Sequence, residues 1–299
     1  MSKTSILLMS RETEDTVYHR RSPWTLMIQR FKKNKRAIVG LWMVIIFVCI
    51  AIFARWLAPY DPIAQNMQII LNPPSLSHPF GTDEYGRDIL SRVIYGAQIS
   101  LMVGVVGVLI SIVFGVALGT ISGYFGGKAD ILIMRVMDVF MAFPSFLLAL
   151  AIVSVLGPGM VNVMIAIGIF SIPAFARISR SSVMSVNNKE YIEAAKSMGS
   201  GHVRIIFKHV IPNSIAPIIV LSTMRIATAI LTASGLSFLG MGAQPPTPEL
   251  GAMLSSGRDY LRSDPHVSTI PGLAIMFMVL AFNMLGDGIR DALDPKMKL

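Results

Sequence analysis

Residues 122–130, "SGYFGGKAD", come close to a loop that could hold phosphate. Such a loop reads G-x-x-x-x-G-K-[ST], in which backbone amides surround the phosphates, the lysine neutralises them and the hydroxyl serves magnesium. Gly127-Lys128 meets part of this pattern, but Ser122 stands in place of the first glycine and Ala129 in place of the hydroxyl. The stretch "GMGAQP" fails the dinucleotide pattern at Pro245 in the same way. Five histidines (His19, His78, His202, His209, His266) are scattered along the chain without an H-E-x-x-H pair, and the one cysteine, Cys49, lies in an apolar run. No metal site, cofactor or disulfide framework follows from such an arrangement, and no serine, histidine and aspartate share the context of a catalytic triad. The sequence shows no enzyme.

Two features remain. One is the charged, helix-forming stretch "EYIEAAKSMGSGHVRIIFKHVIP", Glu190 to Pro212, set between strongly apolar segments. The other is Arg225, inside an apolar run where a cation costs about 2.5–3.5 kcal/mol. Arg225 either lines a polar path and attracts a carboxylate, or forms a buried pair with an acid such as Asp138 or with a freed carbonyl. Asp138 also lies three residues from Arg135, a spacing that suits a local pair.

The elements that must position these residues are membrane helices. The chain has 299 residues, 53% hydrophobic and 14% charged, with a mean hydropathy of +0.62, outside the range of soluble domains. A bilayer core of ~30 Å takes roughly 20 helical residues. Six spans are expected: 38–57, 101–124, 131–156, 160–176, 212–236 and 270–289. A tail of residues 1–37 precedes them, with no signal-peptide cleavage pattern, so the first span is an anchor. The remaining divisions are a 58–100 loop, a 101–289 helical core carrying a polar 177–211 segment, and a 290–299 tail.

The net charge of +9 does not indicate nucleic acid, because the basic residues flank the apolar runs. Twenty of the Lys and Arg residues fall in the two tails, the 2–3 turn and the loop after the fourth span, against five in the other loops. The positive-inside rule then makes both termini and the Glu190–Pro212 segment cytoplasmic. The opposite loops, including "LNPPSLSHPFGTDEYGRD" and "GMGAQPPTPELG", are rich in Pro and Gly and read as surfaces that meet an outside partner. In the second span Gly104, Gly107, Ser111, Gly115 and Gly119 form a stripe for close helix packing. Pro144, Pro173 and Pro217 are expected to bend their spans.

Within the charged stretch, the spacing predicts a helix with Tyr191, Ala194, Ala195 and Met198 on one face. A break follows at Gly199-Ser200-Gly201, then a second helix with Val203, Ile206, Phe207 and Val210 on one face, and Pro212 at the start of the next span. By pattern alone this is a hook for a partner or a pair of helices at the headgroups.

Glu193-Ala194-Ala195, Gly199 and Ile211-Pro212 resemble the EAA signature of the integral membrane subunits of binding-protein-dependent ABC importers, with His209 and Ile211 as mild departures. "FGTDEYGRDILSRVIYGAQISL", "LSFLGMGAQPPTPELGAML" and "FNMLGDGIRDALDPKMKL" are similar to phrases of the peptide-type permeases: dipeptide, oligopeptide, glutathione and nickel. "FSIPAFARISR" and "TMRIATAI" are most similar to the glutathione-importer permease. The resemblance runs from about Arg30 to the carboxyl end. It implies an all-α, six-span permease of the type I importer kind in a bacterial inner membrane. The implied partners are a sister permease, two cytosolic ATPases and an external binding protein, with membrane lipid as solvent. Glu193, Ala194, Ala195, Gly199, Ile211 and Pro212 would couple to an ATPase, which alone would hydrolyse ATP, and the cargo would be a peptide or a nickel chelate. An ion-coupled secondary carrier would instead need midplane ionisable or discontinuous sites in repeated halves. Apart from Arg225 no clear midplane charge stands out, and no repeat is convincing. A scaffold without transport would not need the hook.

Overall fold

A computed structural model describes residues 23–293, and among them there are helices and one isolated bridge, Thr82 to Asp88, but no strand. The elements are α1 (Pro23–Lys33), α2 (Lys35–Ile52), α3 (Ile89–Phe125), α4 (Gly127–Met141), α5 (Ser145–Leu156), α6 (Met160–Asn187), α7 (Glu190–Ser197), α8 (His202–Phe238), α9 (Leu250–Gly257) and α10 (His266–Leu293). Of these, α2, α3, α6, α8 and α10 are each long and apolar enough to cross a bilayer, and the bent pair α4–α5 makes a sixth crossing if taken as one span.

Helix starts follow their caps. Asn34 Oδ1 accepts from the amides of Arg36 and Ala37 to begin α2, and Asp88 Oδ2 accepts from the Ser91 amide at 2.7 Å to begin α3, each satisfying amides that have no helical partner. Pro144 does more than bend its span. It disfavours helix at the residue before it, and α4 and α5 meet at 90° across the break at residues 142–144.

α3 and α6 form the centre. Lipid tails are as apolar as leucine, so close packing rather than water exclusion must hold two spans together. The small-residue stripe supplies it: a methyl on Gly119 would run into the Ala176 carbonyl, and Gly107 receives Ile167. Ser111 Oγ donates to the carbonyls of Gly107 on its own helix and Gly168 on the other, both at 2.9 Å. Val103, Ile167 and Phe175 are fully buried here. A second cluster, with Leu101, Ile230, Leu250 and Met278, joins α3 to α8, α9 and α10. α2 packs on α10, where Gly40 admits Met284, and leaves Trp42 exposed on its outer face.

Two helices run on where the sequence suggested they would stop. α6 continues past Ala176 to Asn187, giving 28 residues. α8 continues through Pro212, which was expected to start a new element, as one helix of 37 residues from His202. Proline cannot donate to the ladder, and the helix accommodates it by widening into a π turn over Ile206–Val210. Asn213 Nδ2 and Ser214 Oγ then donate to the carbonyls of His209 and Val210, at 2.7 and 2.6 Å.

Candidate functional site

α7 and the first turns of α8 fold back on each other at one end of the bundle. The turn between them is set by Gly199 at φ +77, which a side chain would strain. The Gly199 amide donates to the Lys196 carbonyl at 3.0 Å and the Ser200 amide to the Ala195 carbonyl at 3.1 Å, the paired bonds of a Schellman helix end.

Ile192, Ala195, Ile205 and Val210 turn inward and pack with Tyr124, Val183 and Val186 at the ends of α3 and α6. The cluster belongs to the charged stretch between the apolar spans, where burying an Ile or Val side chain away from water is worth about 1.5–3 kcal/mol. Polar contacts fix the angle: Tyr124 Oη and His202 Nδ1 lie 2.9 Å apart, and Lys196 Nζ donates to Asn187 Oδ1 at 3.0 Å.

The expected faces are therefore rotated. Ala195 belongs to the base of the hook, while Tyr191, Glu193, Ala194 and Met198 point outward. On the second helix Ile205 and Val210 are the inward pair, and Val203 and Phe207 are 70% and 69% exposed. The exposed apolar side chains thus share the outside of the hook with Glu193. Pro212 is exposed and Ile211 half-buried, one turn beyond it.

Arg225 lies on α8, partly buried. Asp138 does not pair with it or with Arg135. Its Oδ1 accepts from Arg177 on α6 at 2.8 Å, and both residues of that pair are about half exposed. Nearby, Arg180 binds Asp130 in a bidentate fork at 2.5 and 2.6 Å. Both basic partners come from the extension of α6, which brings Arg177 and Arg180 alongside α4. Among the described residues no side chain pairs with the Arg225 guanidinium.

At the opposite end, "GTDEYGRD" ties itself into a compact knot. Asp83 Oδ1 accepts from the amides of Tyr85 and Arg87, both at 2.9 Å, while its Oδ2 accepts from Arg87 Nε at 2.6 Å. Asp88 caps α3 and lies 2.9 Å from His78 Nδ1. Beside the knot the second loop carries Glu249, fully buried, whose Oε2 accepts from the Ala252 amide at 2.8 Å and caps α9. Its Oε1 has no hydrogen-bond partner. Burial pushes this carboxyl above the usual carboxylate range, against the pull of the Ala252 and Gly251 amides.

Residues 115–299 match the family described as binding-protein-dependent transport system inner membrane component. The chain belongs to that family. The permease also matches, over residues 22–74, the N-terminal transmembrane domain of oligopeptide transport permease C. Curated relatives include a dipeptide transport system permease of Alkalihalophilus pseudofirmus, 51% identical, covering 93% of this chain and 91% of that protein. A di/tripeptide transport system permease of Pseudomonas aeruginosa is 48% identical, covering 93% of each. A glutathione transport system permease of Escherichia coli is 51% identical, covering 93% of this chain and 92% of that protein. A chain of an inward-facing methionine ABC transporter structure shares the fold, with a TM-score of 0.56 at 17% identity over 69% of this chain and 98% of that one. This permease is therefore an all-helical integral inner-membrane subunit of an importer rather than an enzyme.

Sequence reasoning predicted the helix, glycine turn and helix of the charged stretch but missed the knot and the Arg180–Asp130 fork. Opposite charges four residues apart in "TDEYGRD", Asp83 and Arg87, were the available signal for the first. Nothing local announced the second, because its partners are 50 residues apart.

Proposed function

We propose that this permease forms half of a pathway for short peptides, glutathione among them, with a sister permease forming the other half. The relatives named above for dipeptide, di/tripeptide and glutathione transport support the cargo class. Both termini and the hook then face the cytoplasm, and the knotted loops face an external binding protein.

The observation that carries the coupling role is the outside of the hook. Tyr191, Met198, Val203 and Phe207 are exposed in water on a base fixed to α3 and α6, and exposed apolar side chains clustered on a rigid support suit a protein partner. Glu193 supplies a polar contact at the rim of this patch and Ala194 allows close approach, while Ala195 and Gly199 set its shape. Ile211 and Pro212 pass the load into α8. A pair of cytosolic ATPases closing on ATP draws the two hooks together and opens the spans outward, and hydrolysis resets them. The permease carries force and the binding protein carries most of the selectivity.

Glu193→Lys and Gly199→Pro test this role in the complete importer. Both variants are expected to insert and assemble yet to hydrolyse ATP without uptake. Normal uptake by both would remove the coupling assignment.

A further inference from the structure

Pro217, Leu221, Met224, Arg225, Thr228 and Thr232 are spaced along α8 so that they share one helix face. The hook-side half of that face is the wall of a groove. Pro217, Leu221 and Met224, with Ile178 of α6 and Arg290 near the end of α10, enclose about 420 Å³. Away from the hook the face continues through Arg225, Thr228 and Thr232, each at least partly open to the surroundings. Thr228 Oγ1 is already engaged, donating to the Arg225 carbonyl at 2.9 Å. The guanidinium is not: its expected acid, Asp138, is held by Arg177.

A cation left facing lipid near the middle of a span costs several kcal/mol. Arg225 must therefore face water, another chain or cargo. An open groove on the hook-side part of the same face, lined as far as Met224 beside Arg225 and with a second cation, Arg290, in its lining, favours a conduit over a sealed contact. We propose that this face of α8 is a wall of the translocation path and that Arg225 is a specificity-determining residue that receives a carboxylate of the passing cargo. The inference rests on the peptide-importer reading and adds to it the part of the cargo that is recognised. A charge-assisted hydrogen bond to a carboxylate, made away from bulk water, is strong enough to affect passage.

The test uses the complete importer in proteoliposomes, with the sister permease, the ATPases and the external binding protein. Uptake of a dipeptide and of its carboxyl-terminal amide is measured for the wild type, Arg225→Gln and Arg225→Lys. Each variant is compared with the wild type on the same cargo, so the binding protein's own preference cancels. Arg225→Gln is expected to slow the free acid by about tenfold or more, the scale of one charged hydrogen bond, and the amide by less than about twofold. Arg225→Lys is expected to recover most of the free-acid rate. Equal slowing of both cargoes would overturn the proposal. So would failure of Arg225→Gln to assemble with the sister subunit while Arg225→Lys assembles, since Arg225 would then serve a partner's carboxylate. If the wild type imports neither cargo from a loaded binding protein, the peptide reading itself falls, and this inference with it.

Discussion

Single residues carry opposite kinds of cost here. Glu249 is an acid kept out of water with one oxygen unpartnered, and its raised pKa has a definite sign. The folded state binds this proton more tightly than the unfolded chain, whose glutamates titrate near ~4.3. The contribution is present below that value and is lost as pH rises through the folded-state pKa. Thermal melting of the purified protein is expected to show a wild-type loss of stability on going from acid toward neutral pH that Glu249→Gln lacks. An identical pH slope in both proteins would mean that the carboxyl is ionised when buried. This residue was not legible in advance, because "PTPELG" reads as an ordinary turn, whereas the next residue, Leu250, packs with Ala227 and Ile230 of α8 from far along the chain. Arg225 was legible for the opposite reason, since a charge inside an apolar run stands out whatever the fold. Its lack of a partner required the structure, which showed Asp138 committed to Arg177.

Helices follow rules that local sequence states unequally well. The stripe from Gly104 to Gly119 could be read directly, because small residues at three- and four-residue spacing have few other uses in a membrane span. Gly119→Leu is expected to overpack the α3–α6 contact at a cost of about 1–3 kcal/mol, seen as a lower melting temperature and a reduced yield. Unchanged melting would mean that the two helices are not in contact there. The faces of the hook were harder to read. Its inward residues are chosen by Tyr124, Val183 and Val186 from distant elements, so periodicity predicted helices but not which side they bury. Pro212 misled because proline ends most helices, whereas here side-chain donors and a π turn keep the helix intact.

Taken whole, the molecule separates two ends. The hook and the α4–α6 ion pairs lie at one, and the Asp83–Arg87 knot and Glu249 at the other. Cysteine labelling checks which faces which compartment. In cells that make the permease without its ATPases and with Cys49 replaced by Ala, a single cysteine at Leu76 is expected to react with a membrane-impermeant thiol reagent while the cells are intact, and one at Met198 only after permeabilisation. Both sites are strongly exposed, so the reverse pattern would invert the orientation. The candidate crossings could be read from hydropathy, a nearly local quantity: five long apolar helices and one bent pair fall where six spans were expected. The fold of each loop was not legible, being a matter of long-range closure.

One consequence follows from α8 being uninterrupted from His202 to Phe238. At about 1.5 Å per residue it is a rod of roughly 55 Å, with the hook as its handle and Arg225 some distance down its shaft. No break in the helix separates handle from shaft, so a sideways tug on the one passes to the other through the π turn at Ile206–Val210, like an oar in its rowlock. On the coupling and cargo roles proposed above, the same stroke that a soluble motor delivers at one tip would reposition the cation deep in the bilayer, making the hold on cargo and the supply of work a single motion.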